Sequence, residues 1–180
     1  MTHEVIMAGH GGQGVLYMGT LLARAGMLEG KEVSWLPSYG AEQRGGTANC
    51  AVVIGDEAVV SPVVYEATGA VVMNGPSLEK FAPHVRPGGV LVVNTSLAPE
   101  RVERGDLRVV ALPANRLAEE TGDGRSANMV ALGAFAAATG IVRMDNLLEA
   151  LRQATPARRR HLLAGNERAL RRGEEWMGKD

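Results

Sequence analysis

At 180 residues, 46% of them hydrophobic and 22% charged, the chain has the length of one domain, 1–180, and too much apolar content for a disordered one. Its 19 Lys and Arg against 20 Asp and Glu give a net charge of -1, so no overall field draws it to nucleic acid or anionic lipid. The lone cysteine, Cys50, excludes an internal disulfide, a four-cysteine iron-sulfur cluster and a cysteine-built zinc site.

Aromatic residues make up only 4%, so core volume has to come from Val, Leu, Ala and Met, which favours α/β packing over a β-sandwich. Met1–Glu4 run straight into a strand pattern without a basic leader, and no apolar run approaches the length of a membrane span. A cytoplasmic protein is expected.

Val5–Ala8 form a short apolar run, followed by Gly9-His10-Gly11-Gly12-Gln13-Gly14 and then by apolar residues at helical spacing over Val15–Leu28. This reads as strand, glycine turn, helix. Gly9, Gly11 and Gly14 fit G-x-G-x-x-G, a context in which a helix N-terminus offers free N–H groups to a phosphate; a tight turn without a ligand would use the same residues. A nicotinamide-binding fold also wants an acid at the end of the second strand, and here that strand ends Trp35-Leu36-Pro37. A stand-alone NAD(P)-dependent oxidoreductase is therefore the alternative reading.

Pro37–Cys50 mixes three glycines, Gly40, Gly45 and Gly46, with Ser38, Tyr39, Glu42, Gln43, Arg44 and Thr47, and supplies no apolar face. That mixture suits a site. Glycine permits close approach of the backbone, Arg44 can pair bidentately with phosphate or carboxylate, and Tyr39 offers an apolar body with a hydroxyl handle. Glu42 can equally neutralise Arg44. In an open α/β sheet the carboxyl ends of strands form the ligand crevice, so the loops starting at Gly9 and Ser38 are expected to meet there.

Ala51–Ile54 and Ala58–Val60 flank Gly55-Asp56-Glu57, which predicts a hairpin inserted into the βαβ rhythm. Gly69–Asn74, Val90–Val93 and Arg108–Pro113 are further strand patterns, with a short helix at Ser77–His84. The expected fold is thus a mainly parallel, Rossmann-like sheet with helices on both faces and an inserted β-hairpin. After a helix at Asn115–Thr121, Gly122-Asp123-Gly124 reads as a helix-breaking turn rather than a magnesium motif, since Asn146 follows too early for a thiamine diphosphate site. Ser126–Phe135 is apolar nearly all round, which predicts a buried helix with small residues at a close contact. Charged helices over about 144–173 are expected to close one side, with Arg158-Arg159-Arg160 at a solvated helix end. His10 lies within the glycine turn, within reach of a phosphate bound there, whereas His3, His84 and His161 lack ligand spacing, and no metal site or independent catalytic set is expected.

Three segments together carry a resemblance: Gly9-His10-Gly11-Gly12-Gln13-Gly14-Val15, the stretch Ser38–Cys50, and Ala127-Asn128-Met129-Val130-Ala131-Leu132-Gly133, with a fainter match at Asn166–Gly173. The chain resembles the gamma subunit of 2-oxoacid:ferredoxin oxidoreductases, the family of pyruvate, 2-oxoglutarate, 2-ketoisovalerate and indolepyruvate enzymes. Ala41 and Gln43 stand where Pro and Met are more usual. The resemblance implies oxidative decarboxylation of a 2-oxoacid to acyl-CoA by a complex with alpha, beta and delta-type subunits that reduces ferredoxin. It also implies that thiamine diphosphate, magnesium and the iron-sulfur clusters sit on partner subunits. This chain is left with assembly, as a pure scaffold or with part of a coenzyme A site at Gly9, Gly11, Gly12, Gln13, Gly14, Ser38, Tyr39, Gly40, Arg44, Gly45, Gly46, Thr47 and Asn128.

Overall fold

The protein is described by a computed structural model that covers residues 1–39, 46–98 and 102–178, with only the backbone of Tyr39. Strands β1 (Thr2–His10), β2 (Glu32–Tyr39), β3 (Thr47–Gly55), β4 (Ala67–Val72), β5 (Val85–Asn94) and β6 (Arg108–Leu112) form a six-stranded sheet in the order β2-β3-β1-β4-β5-β6. β1, β4, β5 and β6 are parallel, and β3 runs antiparallel to both β1 and β2. The mainly parallel sheet is as expected.

The hairpin is not where the sequence pattern put it. Its arms are β2 and β3, joined across the polar loop, whereas Ala58–Val60 forms no strand and Val60 is fully exposed. The β-propensity of Ala58-Val59-Val60 is overridden because β3 already pairs on both sides, so no sheet edge is left for it. β2 takes the edge, where Pro37 can sit without a ladder donor.

Side-chain alternation divides the core. Val5 and Met7 of β1, with Cys50, Val52 and Ile54 of β3, face helices α1 (Val15–Leu28), α4 (Ala127–Thr139), α5 (Met144–Ala154) and α6 (Leu163–Met177). Helix α3 (Ala114–Glu120) joins the same layer through Leu117 and Ala118. Ile6 and Ala8 point the other way, to α2 (Gly75–Phe81) and the 3-10 turn Ala82–His84 that follows it. Among the described residues helices thus cover both faces, five on one and α2 on the other.

Helix α4 is buried along almost its whole length, in line with its apolar sequence. It packs backbone to backbone on α6: a Cβ built on Gly133 would collide with the carbonyl oxygen of Leu170, and one built on Gly173 with that of Val130. The C-terminal end of α1 is tied to the start of α5 by Glu29, whose Oε1 accepts from the Arg143 N–H at 2.6 Å and from Asn146 Nδ2 at 3.0 Å. Arg158, Arg159 and Arg160 lie exposed on a 3-10 segment, Ala157–Leu162, that leads into α6. No helix among the described residues is long and apolar enough to cross a membrane.

Candidate functional site

β1 carries Gly9 and His10 to the carboxyl edge of the parallel strands, where the chain turns sharply into α1. Gly12 and Gly14 take left-handed backbone angles, φ 98° and 70°, that an L side chain resists. A Cβ on Gly14 would also run into Asn128 Nδ2, and one on Gly9 would lie 2.5 Å from Gln13 Oε1 and 2.8 Å from Val15 Cγ2. The glycines are therefore required by the turn itself. Gln13 closes that turn, its Oε1 accepting the His10 N–H at 2.8 Å and its Nε2 donating to the Met73 carbonyl at 3.2 Å. No side chain caps α1, so its first N–H groups point out of the turn with the positive end of the helix dipole behind them.

Two segments far apart in sequence meet this turn. Asn128, in the first turn of α4, donates from Nδ2 to the Gly14 carbonyl at 3.3 Å. The Gly11 N–H donates to the Gly46 carbonyl at 3.0 Å, while His10 stands opposite Thr47 and Tyr39 opposite Ala48 in the ladder. The glycine turn and the far end of the polar loop thus adjoin, as expected, with β3 interposed between β1 and β2. Gly40, Ala41, Glu42, Gln43, Arg44 and Gly45 lie outside the described residues.

A cleft of about 210 Å³ opens on the α3 and α4 side of the turn. Of the expected site residues, Gly12, Gln13 and Asn128 line it, whereas Ser38, Gly46 and Thr47 lie beyond the turn and do not. His10, Asn115 and Arg125 add polar side chains to its wall, the last two lying outside the sequence motifs. Behind Asn115 is a buried amide relay. Asn94, fully inaccessible, accepts the Ala114 N–H at 3.1 Å and the Ser96 N–H at 3.2 Å, and donates to the Met73 carbonyl at 3.2 Å and to Asn115 Oδ1 at 2.8 Å. Asn74 caps α2 by accepting the Ser77 N–H at 2.9 Å. The signal was present in the sequence: the β4 and β5 apolar runs lead into Asn74 and Asn94, and Asn115 follows β6 closely.

Asp123 caps the short 3-10 turn Gly124–Ser126 and pairs with Arg125, Nε to Oδ1 at 3.0 Å, which holds its carboxyl below the ordinary value. Its role is a turn-forming one, matching the helix-breaking reading. Cys50 is buried against α1, and burial pushes its thiol up to about 12, so at neutral pH it is neither a nucleophile nor a soft ligand. Among the described residues no three His, Cys, Asp or Glu side chains gather in a way that could hold a metal ion.

The model of the family described as pyruvate ferredoxin/flavodoxin oxidoreductase matches residues 4–176. The chain belongs to this family. It is 42% identical over 180 residues to the ketoisovalerate oxidoreductase subunit VorA of Methanothermobacter marburgensis, covering 98% of this chain and 37% of that protein. It is 36% identical over 163 residues to the 2-oxoglutarate synthase subunit KorC of the same organism, covering 87% of this chain and 88% of KorC. The chain therefore spans a little over a third of VorA but most of KorC. Among solved structures, the gamma subunit of a keto/oxoacid ferredoxin oxidoreductase from Geobacter sulfurreducens superposes with a TM-score of 0.85 at 27% identity, covering 99% of both chains. A 2-oxoglutarate:ferredoxin oxidoreductase from Magnetococcus marinus, with 2-oxoglutarate, coenzyme A and succinyl-CoA bound, gives 0.87 at 25% identity over 98% of this chain and 31% of that one. Within the family, the same fold thus occurs both as a chain of its own length and as part of a longer one.

Proposed function

We propose that this chain is a gamma-type subunit of a multisubunit 2-oxoacid:ferredoxin oxidoreductase, serving assembly and supplying one wall of a coenzyme A site. The observation that carries the second half is the uncapped N-terminus of α1 opening beside a cleft whose lining includes Asn115 and Arg125 and no carboxylate. Coenzyme A brings phosphates and a thiol that accepts the acyl group; the chain's own residues bind and orient. The N–H groups of Gly12 and Gly14 and those opening α1 meet phosphate, those of His10, Gly11 and Gln13 being engaged internally, while Gly9, Gly11, Gly12 and Gly14 give close approach and Gln13 fixes the turn. Asn128 braces Gly14 from α4. Ser38, Gly46 and Thr47 lie at the adjoining strand ends, and Tyr39, Gly40, Arg44 and Gly45 are assigned to the same site by their chemistry alone, Arg44 as the cation of the stretch and Tyr39 as its apolar body. Thiamine diphosphate, magnesium and the iron-sulfur clusters do not fit the residues described, because Cys50 is buried and protonated and Asp123 is engaged by Arg125. In this reading they belong to alpha, beta and delta-type partners, and the isolated chain is inactive.

The nicotinamide reading is weakened by topology. In a dinucleotide fold the second strand lies beside the first and its terminal acid reaches the ribose. Here antiparallel β3 separates β2 from β1, which moves the end of β2 one further strand spacing, about 5 Å, away from the turn. A melting-temperature screen of the assembled complex separates the two. Coenzyme A is expected to raise the melting temperature, as for about 2.7 kcal/mol at a hundredfold excess over its dissociation constant, and NAD and NADP to leave it unchanged. A shift with a nicotinamide and none with coenzyme A would overturn the proposal.

A further inference from the structure

The orientation of Asn115 follows from hydrogen-bond capacity alone. Asn94 Oδ1 receives two backbone N–H groups, those of Ala114 and Ser96, so that atom must be the carbonyl oxygen. Its other terminal atom is then the NH2 group, which donates to the Met73 carbonyl and to the side chain of Asn115. Asn115 has to answer with its oxygen. Its own NH2 group has no partner among the described residues, and the residue lines the cleft.

The same logic holds across the floor of the cleft. Gln13 Oε1 is committed to the His10 N–H and Nε2 to the Met73 carbonyl, which accepts from both Gln13 and Asn94. The acceptors at the carboxyl ends of β1, β4 and β5 are thus used internally, and what the wall presents is mainly donors: the Asn115 NH2 group, the Arg125 guanidinium and the turn at Gly12, beside the His10 ring, whose Nδ1–H is held by the Gly11 carbonyl at 2.9 Å. The lining contains no Asp or Glu. Arg125 is 83% exposed and shares its charge with Asp123, so it contributes less directional hold than Asn115, which a buried neighbour locks.

We infer that this cleft is a phosphate-binding subsite in which Asn115 is the orienting donor and Asn94 the positioning residue that aims it. The ligand's identity as coenzyme A rests on the proposed function above; the preference for an oxyanion rests on the free Asn115 NH2 group, the Arg125 guanidinium and the lack of any Asp or Glu in the lining. A phosphate seated there accepts from Asn115 and competes with Asp123 for Arg125, while the turn at Gly12 receives its remaining charge.

Asn115→Asp tests this in the assembled complex. The carboxylate still accepts from Asn94 Nδ2, so the fold keeps its relay, but a negative oxygen replaces the NH2 group. Coenzyme A affinity, measured by titration calorimetry, is expected to fall at least tenfold while the KM for the 2-oxoacid and the ligand-free melting temperature stay as in wild type. A rise in the 2-oxoacid KM with coenzyme A unaffected would assign the cleft to a carboxylate and overturn the phosphate subsite. Unchanged values for both would overturn it too. Should the wild-type complex bind no coenzyme A, the proposed function fails separately, and inorganic pyrophosphate becomes the probe: binding to wild type that Asn115→Asp abolishes upholds the subsite, and no binding to wild type removes it.

Discussion

Alanine at position 133 is expected to destabilise the protein by about 3 kcal/mol, at the upper end of what an overpacked core costs. For a chain of this length the melting temperature should drop by roughly 10 °C. Helix propensity alone predicts the opposite, since Gly to Ala inside a helix gains about 1 kcal/mol. The clash wins because the added Cβ meets the carbonyl of Leu170, and backbone has no rotamer to change. Separating α4 from α6 would also open the reciprocal contact at Gly173, where a Cβ would meet the Val130 carbonyl and lie 2.7 Å from the Ala134 nitrogen. Gly165, earlier in α6, is the control: its nearest neighbour is Arg168 Nη2 at 3.9 Å, so Gly165→Ala is expected to stabilise by a few tenths to about 1 kcal/mol. Thermal melts of the two variants should shift in opposite directions. Equal stabilisation would show that the helices do not approach backbone to backbone.

Asn94→Ala is expected to cost about 3 kcal/mol as well, through a different mechanism. The side chain is inaccessible to solvent, and its removal leaves the Ala114 and Ser96 N–H groups without their acceptor. A buried polar group left unpaired costs about 1–3 kcal/mol, and a small cavity adds to it. The Met73 carbonyl suffers least because Gln13 still donates to it. The variant should be less stable by urea titration and should lose the fixed orientation of Asn115, so phosphate affinity falls with stability. Asn115→Asp, in contrast, should lower affinity without lowering stability. If Asn94→Ala melts like wild type, the relay is not the element that holds the carboxyl ends of β1, β4 and β5 together.

Much of this architecture was legible because the apolar runs are short, strand-like and separated by glycine turns or helical patterns. Val5–Ala8, Gly69–Asn74 and Val90–Val93 each mark a strand, and Val15–Leu28 gives α1 with the observed limits. The hairpin was misplaced for a physical reason. Gly55-Asp56-Glu57 is good turn chemistry between two β-prone runs, but pairing is decided by which edges are free, and β3 had none left after β1 and β2. The glycine turn and the end of the polar loop were correctly expected to meet, as the Gly11 to Gly46 hydrogen bond shows. Ser38 and Thr47 were placed near the turn but do not line the cleft.

Two further residues of the cleft, Asn115 and Arg125, sit within short helical segments, α3 and the 3-10 turn Gly124–Ser126, and their significance arises only when three strand ends are brought side by side. A local motif is visible in sequence because its residues are neighbours. A relay from Gln13 through Met73 and Asn94 to Asn115 is not, because it exists only across the sheet. Asn128 was accessible by resemblance but not by spacing, since its hydrogen bond to Gly14 crosses 114 residues of chain.

We propose that this chain works as one subunit of a larger redox enzyme and not alone. Purification of the tagged chain from its own cells, followed by assay for 2-oxoacid- and coenzyme A-dependent reduction of ferredoxin, tests it most directly. A coloured complex is expected, in which iron-sulfur and thiamine diphosphate co-purify with other subunits and activity requires coenzyme A. A tagged chain that emerges colourless and without such partners, from cells that carry out the reaction, would contradict it.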